Sequence, residues 1–316
     1  MSVRLPTLDE IHDAAARIAP HAVVTPVWRN ASLDALTGAA LYFKCENLQR
    51  GGAFKFRGAC NAVWSLTDDE AACGVVTHSS GNHGNALAMA AATRGIAAHV
   101  VVPEGAVRAK VEAIEQAGAT LHRCAPTMIA REVKAAEVQQ ATGAAMVHPY
   151  ANTCVMAGQG TAVLELLRQS EELDTIITPV GGGGLLSGCA IAAHGVRPAI
   201  KMHGAEPAGA ADAAESLARG SRIEHFTPNT ICDGLRALIG ESNLTALREH
   251  HVEVITVSDE ETIAAMKLLW QNLKLMVEVS SATAFAAVLK QRERFAGHRV
   301  GVVLTGGNVD LDALPW

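Results

Sequence analysis

The sequence predicts an α/β protein in which parallel sheets are flanked by helices and the chain divides into two lobes. Three observations carry this. Short β-branched runs alternate with alanine-rich stretches of helical periodicity. Those runs are nearly continuous in apolar residues, the pattern of strands covered on both faces. At 316 residues the chain is long enough for roughly two cores.

The elements follow in order. Thr7-Leu8-Asp9-Glu10 reads as a capping box, with Ile11, Ala14, Ala15 and Ile18 behind it at helical spacing. Strands are expected at Leu41–Lys44, Val75–Thr77, His99–Val102, Thr120–Arg123, Thr175–Thr178, Met202–Ala205, Val252–Thr256 and Val300–Leu304. Helices are expected at Asn85–Arg94, Arg108–Ala117, Ile129–Thr142 and Glu260–Asn272, with Gly95 and Gly118 as C-caps. The units within residues 73–147 are expected to form a small mobile lobe. Residues 1–72 and 148–316 would form the large one.

Composition narrows the function. Hydrophobic residues make up 49% and charged residues 18%, which is globular and not disordered. A net charge of −6 argues against a broad nucleic-acid footprint. The cysteines are odd in number and form no C-x-x-C pair, so reduced thiols in a cytoplasm are expected. The N-terminus has no apolar signal core and no apolar run is long enough to span a bilayer.

Chemistry concentrates around Lys55, in Gly51-Gly52-Ala53-Phe54-Lys55-Phe56-Arg57-Gly58-Ala59. A lysine between two aromatic residues is costly to bury charged, and a desolvated lysine becomes the nucleophile that Schiff-base chemistry needs. Three loops follow predicted strands, where α/β sheets hold their ligands. Ser79-Ser80-Gly81-Asn82-His83-Gly84 offers hydroxyls and backbone N–H groups at a helix start, which suits an anion. Gly181-Gly182-Gly183-Gly184 is too rich in glycine for a simple turn and suits backbone wrapped around a phosphate. A dinucleotide site is the rival reading, with Glu206 downstream, but the third glycine is misplaced for G-x-G-x-x-G. Thr305-Gly306-Gly307-Asn308 puts a hydroxyl at a strand end, able to face a ring nitrogen.

Together these parts resemble the β-family, or fold type II, of pyridoxal-phosphate (PLP) enzymes, of which tryptophan synthase β is the structural type. Within it they are similar to the serine/threonine dehydratase and serine racemase group. Lys44-Cys45-Glu46-Asn47-Leu48-Gln49 and Ala157-Gly158-Gln159-Gly160-Thr161 match as well, and the motifs run in the family order from Thr7 through Asp310. The resemblance implies a PLP-dependent ammonia-lyase that turns a β-hydroxy amino acid into a 2-oxo acid and ammonia by β-elimination. It implies that the large lobe binds the cofactor, with Lys55 as the Schiff-base lysine, Phe54 against the ring and Asn82 on its phenolic oxygen. Gly181, Gly182, Gly183, Gly184 and Leu185 would hold the phosphate and Thr305 would meet the ring nitrogen. Ser79, Ser80, Gly81, Asn82 and His83 would receive the substrate carboxylate. In racemase members the serine matching Ser80 is the acid/base on the opposite face, so serine racemase activity is an alternative. A divalent cation (Mg²⁺, Ca²⁺ or Mn²⁺) on Glu206, Asp212 and the Ala210 carbonyl is also implied, as is a homodimer.

Some positions depart from the family pattern. Ala53, Ala237, Tyr150 and Val279 replace the family's serine, a second serine, an asparagine and a proline. They surround the substrate pocket and put serine itself in doubt. Arg131 matches a substrate-contacting arginine of some members and would pair with a second carboxylate, which makes 3-hydroxyaspartate the other candidate substrate.

Overall fold

The computed structural model describes residues 4–106 and 108–316, so the first three residues of the N-terminal stretch lie outside it. Among the described residues the strands are β1 (Val27–Trp28), β2 (Ala40–Cys45), β3 (Val75–Thr77), β4 (Ala98–Pro103), β5 (Thr120–Cys124), β6 (Ala145–Met146), β7 (Thr175–Pro179), β8 (Lys201–Pro207), β9 (Glu253–Val257) and β10 (Arg299–Leu304). One sheet has the order β1-β2-β10-β7-β8-β9; only its β1–β2 pairing is antiparallel. The other has the order β5-β4-β3-β6 and is wholly parallel.

Neighbouring residues on the central strands explain the continuous apolar runs. Phe43, Ile177 and Val302 point to one side of the first sheet and pack with Phe285 and Ala282 of the helix Val279–Lys290. Tyr42, Ile176 and Val303 point to the other side and pack with Leu186 and Cys189 of the helix Gly184–Val196. With both faces covered, apolar residues fill most positions, and the polar ones, Lys44, Thr175 and Thr178, are buried and do not alternate toward solvent. The edge strand β5 differs, exposing Thr120 and Arg123.

Every expected strand is present, most of them longer by a residue or two at an end. The expected helices are seen as Asn82–Arg94, Arg108–Gln116, Met128–Thr142 and Asp259–Leu273. Thr7 and Glu10 form the expected reciprocal cap, and Gly95 and Gly118 take the left-handed conformation at helix ends. The two-residue strands β1 and β6 carry too little pattern to read. The helices Lys55–Trp64 and Thr153–Gln169 are buried over most of their surface, so the polar stripe that marks a surface helix is missing.

A buried ion cluster ties the helix of Lys55 to its surroundings. Arg57 Nε and Nη2 donate to the two oxygens of Glu46 at 2.7 and 2.8 Å, and Nη1 and Nη2 to those of Glu165 at 2.7 Å each. Lys44 Nζ donates to Glu165 at 2.6 Å, to Gln169 at 2.8 Å and to the Thr25 carbonyl at 2.7 Å. Burial alone would push the Glu46 carboxyl up, but Arg57 holds it below its ordinary value. The cluster joins β2 and the helices Lys55–Trp64 and Thr153–Gln169 two residues from the lysine.

Candidate active site

Lys55 opens its helix, half-buried beside the start of Phe54. Its Nζ lies 3.4 Å from the Pro149 carbonyl and 4.8 Å from the centre of the Phe54 ring. Burial lowers the ammonium to about 8, and the charge of Glu278 pulls weakly the other way. A fraction of the amine is therefore unprotonated near neutral pH.

The loop after β10 is sewn to the Lys55 segment by backbone. Phe54 N donates to the Thr305 carbonyl at 3.0 Å, Ala53 pairs with Gly306, and Gly307 N donates to the Gly52 carbonyl at 2.9 Å. Thr305 is thereby buried next to Phe54. Ala53, which replaces the family serine, sits in that bridge.

The loop after β3 turns into the helix Asn82–Arg94 through Gly81. A Cβ on Gly84 would fall 2.0 Å from the Ser79 carbonyl, so the loop folds down onto the first helical turn and only glycine fits there. Ser79, Ser80 and Gly81 are half-buried at the rim. Asn82 donates through Nδ2 to both Glu278 oxygens and accepts from Asn308 Nδ2 at 3.0 Å. His83 is turned inward, with Nε2 3.3 Å from the Val147 carbonyl and a buried Nδ1 that has no partner. Burial, with the charge of Lys55, holds its ring well below the usual imidazole value.

Gly181–Gly184 lie between β7 and the helix Gly184–Val196, all buried, with Leu185 in the helix's first turn. A Cβ on Gly182 would fall 2.4 Å from the Tyr150 ring, and one on Gly183 would fall 2.4 Å from Ile239 and 2.7 Å from Asn243. Gly183 also has φ +92°, a conformation open mainly to glycine. The loop thus bares its backbone at the positive end of a helix, a cradle for a phosphate that any Cβ would disturb.

Arg131, on the helix Met128–Thr142, has a buried Nε without a hydrogen-bond partner. Glu206, at the end of β8, accepts from Ala213 N and Ala214 N at 2.9 Å each. Asp212 accepts from Ile239 N at 2.7 Å through Oδ2, while its Oδ1 is buried and unpartnered. Burial first, and the neighbouring Asp212 charge, push Glu206 up to about 8; burial pushes Asp212 up to about 6. Among the described residues no three His, Cys, Asp or Glu side chains gather as a metal set.

Several neighbours of the site carry weaker sequence signals. Glu278 is buried beneath Asn82 and is pushed up to about 7 by burial and then by the charge of Asp233. His78 and His148 follow β3 and β6, and their rings meet edge-on at 5.1 Å. Strand ends mark functional positions in α/β sheets, but β6 is too short to flag His148. Lys110, from the helix Arg108–Gln116, forms an ion pair with Asp233, whose charge acts on Glu278.

The sequence profile described as "Pyridoxal-phosphate dependent enzyme" matches residues 18–306. A serine racemase of Dictyostelium discoideum is 47% identical over 98% of this chain and 96% of its own. A beta-hydroxyaspartate dehydratase of Paracoccus denitrificans is 45% identical over 99% of both. The solved structure of maize serine racemase superposes with a TM-score of 0.95 at 44% identity, over 98% of this chain and 95% of that one. This chain therefore belongs to the pyridoxal-phosphate dependent enzymes, in the fold type II group of serine/threonine dehydratases and racemases.

Proposed function

We propose that the protein is a PLP-dependent ammonia-lyase that dehydrates a β-hydroxy amino acid of the L-serine or L-threonine type to a 2-oxo acid and ammonia. The observation that carries this is Lys55: a half-buried amine lowered to about 8, held between the Phe54 ring and the Pro149 carbonyl. The near full-length likeness to a named dehydratase supports it.

The residues present fit the cofactor. Gly181–Gly184 and Leu185 offer backbone N–H groups to its phosphate, Phe54 an aromatic face, Asn82 an amide and Thr305 a hydroxyl. When bound, the cofactor withdraws electrons from the substrate's Cα and makes its proton acidic. A neutral hydroxyl at the ring nitrogen keeps that withdrawal modest, which favours prompt loss of a β-group. Lys55 Nζ takes the Cα proton and returns it to the departing hydroxyl, which leaves as water. Ser79, Ser80, Gly81, Asn82 and His83 form the rim that receives the substrate carboxylate. Ser80 stands as the acid/base for the racemase alternative.

One observation favours 3-hydroxyaspartate within the same chemistry. The Arg131 guanidinium has a buried, unpartnered Nε and forms no ion pair among the described residues. A second carboxylate on the substrate is a natural partner for it.

A divalent cation would take Glu206, Asp212 and the Ala210 carbonyl as its protein ligands. The unpartnered Asp212 Oδ1 and two carboxylates raised by burial are what a cation with oxygen ligands relieves. We further read residues 73–147 as a small mobile lobe and the protein as a cytoplasmic homodimer. The unpaired cysteines suit a reducing compartment.

The test is 2-oxo acid release from L- and D-serine, L- and D-threonine and the 3-hydroxyaspartate isomers, with PLP and Mg²⁺ added. Product from one or more is expected and names the substrate. Silence across the panel in the PLP-loaded enzyme would remove the dehydratase reading.

A further inference from the structure

The histidine that follows the two-residue strand β6 is held in one tautomer. His148 Nδ1 lies 2.9 Å from the backbone nitrogen of Ala151 and 3.4 Å from that of Tyr150. Those groups can only donate, so Nδ1 accepts and the proton of the neutral ring sits on Nε2. Burial, helped by the charges of His78 and Lys55, pushes the ring down to about 4. The result is a fixed, uncharged N–H donor.

The segment that carries this donor borders Lys55. The carbonyl of the next residue, Pro149, is the oxygen 3.4 Å from Lys55 Nζ. The His148 ring packs edge-on against Tyr150 at 4.5 Å and against His78 at 5.1 Å. Tyr150 in turn lies on Gly182 of the phosphate cradle. The charge of Lys55 reaches His148, and that of Arg131 reaches His78. The His148 and His78 rings are in contact, and the charges of Lys55 and Arg131 lie near them.

We propose that His148 is a catalytic hydrogen-bond donor whose Nε2–H holds the departing β-hydroxyl, while Arg131 takes the more distant group. This rests on the dehydratase reading above. The Cα–H bond breaks and its proton goes to Lys55 Nζ. The Cβ–O bond breaks with its electron pair on oxygen, the proton held by Lys55 passes to that oxygen, and water leaves. His148 keeps its own proton, and its hydrogen bond strengthens as charge gathers on the oxygen.

Two variants separate this role from simple turn capping. In His148→Asn the side-chain oxygen can still accept from Tyr150 N and Ala151 N, but the Nε2–H is gone. In His148→Gln an amide N–H reaches the place of Nε2 and the cap is lost. With the PLP-loaded enzyme, His148→Asn is expected to lose on the order of 100-fold in kcat on the best hydroxy substrate. It should lose far less on β-chloroalanine, whose chloride leaves without such a donor. His148→Gln should outperform His148→Asn on the hydroxy substrate. Equal losses on both substrates, or Asn better than Gln, would assign the ring to capping and overturn the proposal.

A measurement on the cofactor-free wild type keeps the question open to refutation even where a variant does not fold. Nitrogen NMR of ¹⁵N-histidine protein should show His148 neutral with its proton on Nε2 across the working pH range; a proton on Nδ1 would overturn the proposal. If the wild type releases no 2-oxo acid from any hydroxy substrate, the dehydratase reading falls and takes this inference with it. If the wild type turns over and the variants follow the capping order, the inference alone falls.

Discussion

The Asn82 amide donates to both oxygens of the Glu278 carboxylate, at 3.0 and 3.1 Å, joining residues 196 positions apart. Glu278 is a buried acid in a site built around a lysine and is pushed up to about 7, mainly by burial. Its ordinary value is 4.5, so between those two pH values the native protein holds a proton that the unfolded chain has released. The stability this group contributes is full below the unfolded value and is lost as pH rises through about 7. The shift corresponds to roughly 3 kcal/mol. Denaturant unfolding of the cofactor-free protein should show the wild type losing about that much, relative to Glu278→Gln, between pH 5 and pH 8. A constant difference between the two would mean that Glu278 is not the linked group.

Lys55→Ala should abolish turnover, by about 10³-fold or more, while leaving the fold intact by circular dichroism. The PLP-loaded wild type should absorb near ~410 nm and lose that band on borohydride reduction, because only a lysine Schiff base is reduced in place. Retained turnover in the variant would move the reaction to another residue.

Arg57→Ala strips the guanidinium from the buried Glu46 and from the half-buried Glu165, which keeps Lys44. Removing one partner of a buried pair costs about 3–5 kcal/mol, and here the cost falls on Glu46, which loses both of its guanidinium hydrogen bonds. Urea unfolding measures this, and Arg57→Lys should recover only part of it, since one ammonium cannot meet four carboxylate oxygens at once.

Millimolar Mg²⁺ or Ca²⁺ should raise the melting temperature of the wild type. At a hundredfold excess over Kd the gain is about 2.7 kcal/mol. Glu206→Gln should erase that response. A variant that responds like the wild type would place the cation elsewhere.

Arg131→Gln should lower kcat/KM for 3-hydroxyaspartate by roughly 10- to 100-fold, the loss expected for one charge-assisted hydrogen bond. L-serine, which has no second carboxylate, should change only a few-fold. Equal changes on both substrates would show that the guanidinium does not read the side chain of the substrate.

Much of the site was legible because its chemistry is local in sequence. The lysine between Phe54 and Phe56, the glycines at 181–184 and the loop after Val75–Thr77 each announce themselves within a few residues. The long strands were legible as apolar runs, although most extend a residue or two past the expected ends. What stayed hidden depends on contacts between distant segments. Glu278 gains its meaning from Asn82, and His148 from a strand of two residues and from two backbone N–H groups behind it. The buried helix Lys55–Trp64 lacks the polar stripe that periodicity needs, so the lysine that opens it was plainer than its secondary structure.

The ion pair between Lys110 and Asp233 joins the helix Arg108–Gln116 to the short helical turn Asp233–Leu235. Both side chains retain solvent exposure, 25% and 45%, and pairs of that kind are worth about 0–1 kcal/mol. On that scale the pair is a weak tie, one that thermal motion breaks and remakes. Its strength depends on ionic strength, because dissolved salt competes for the same two charges. A dissolved carboxylate competes too, as a rival partner for Lys110.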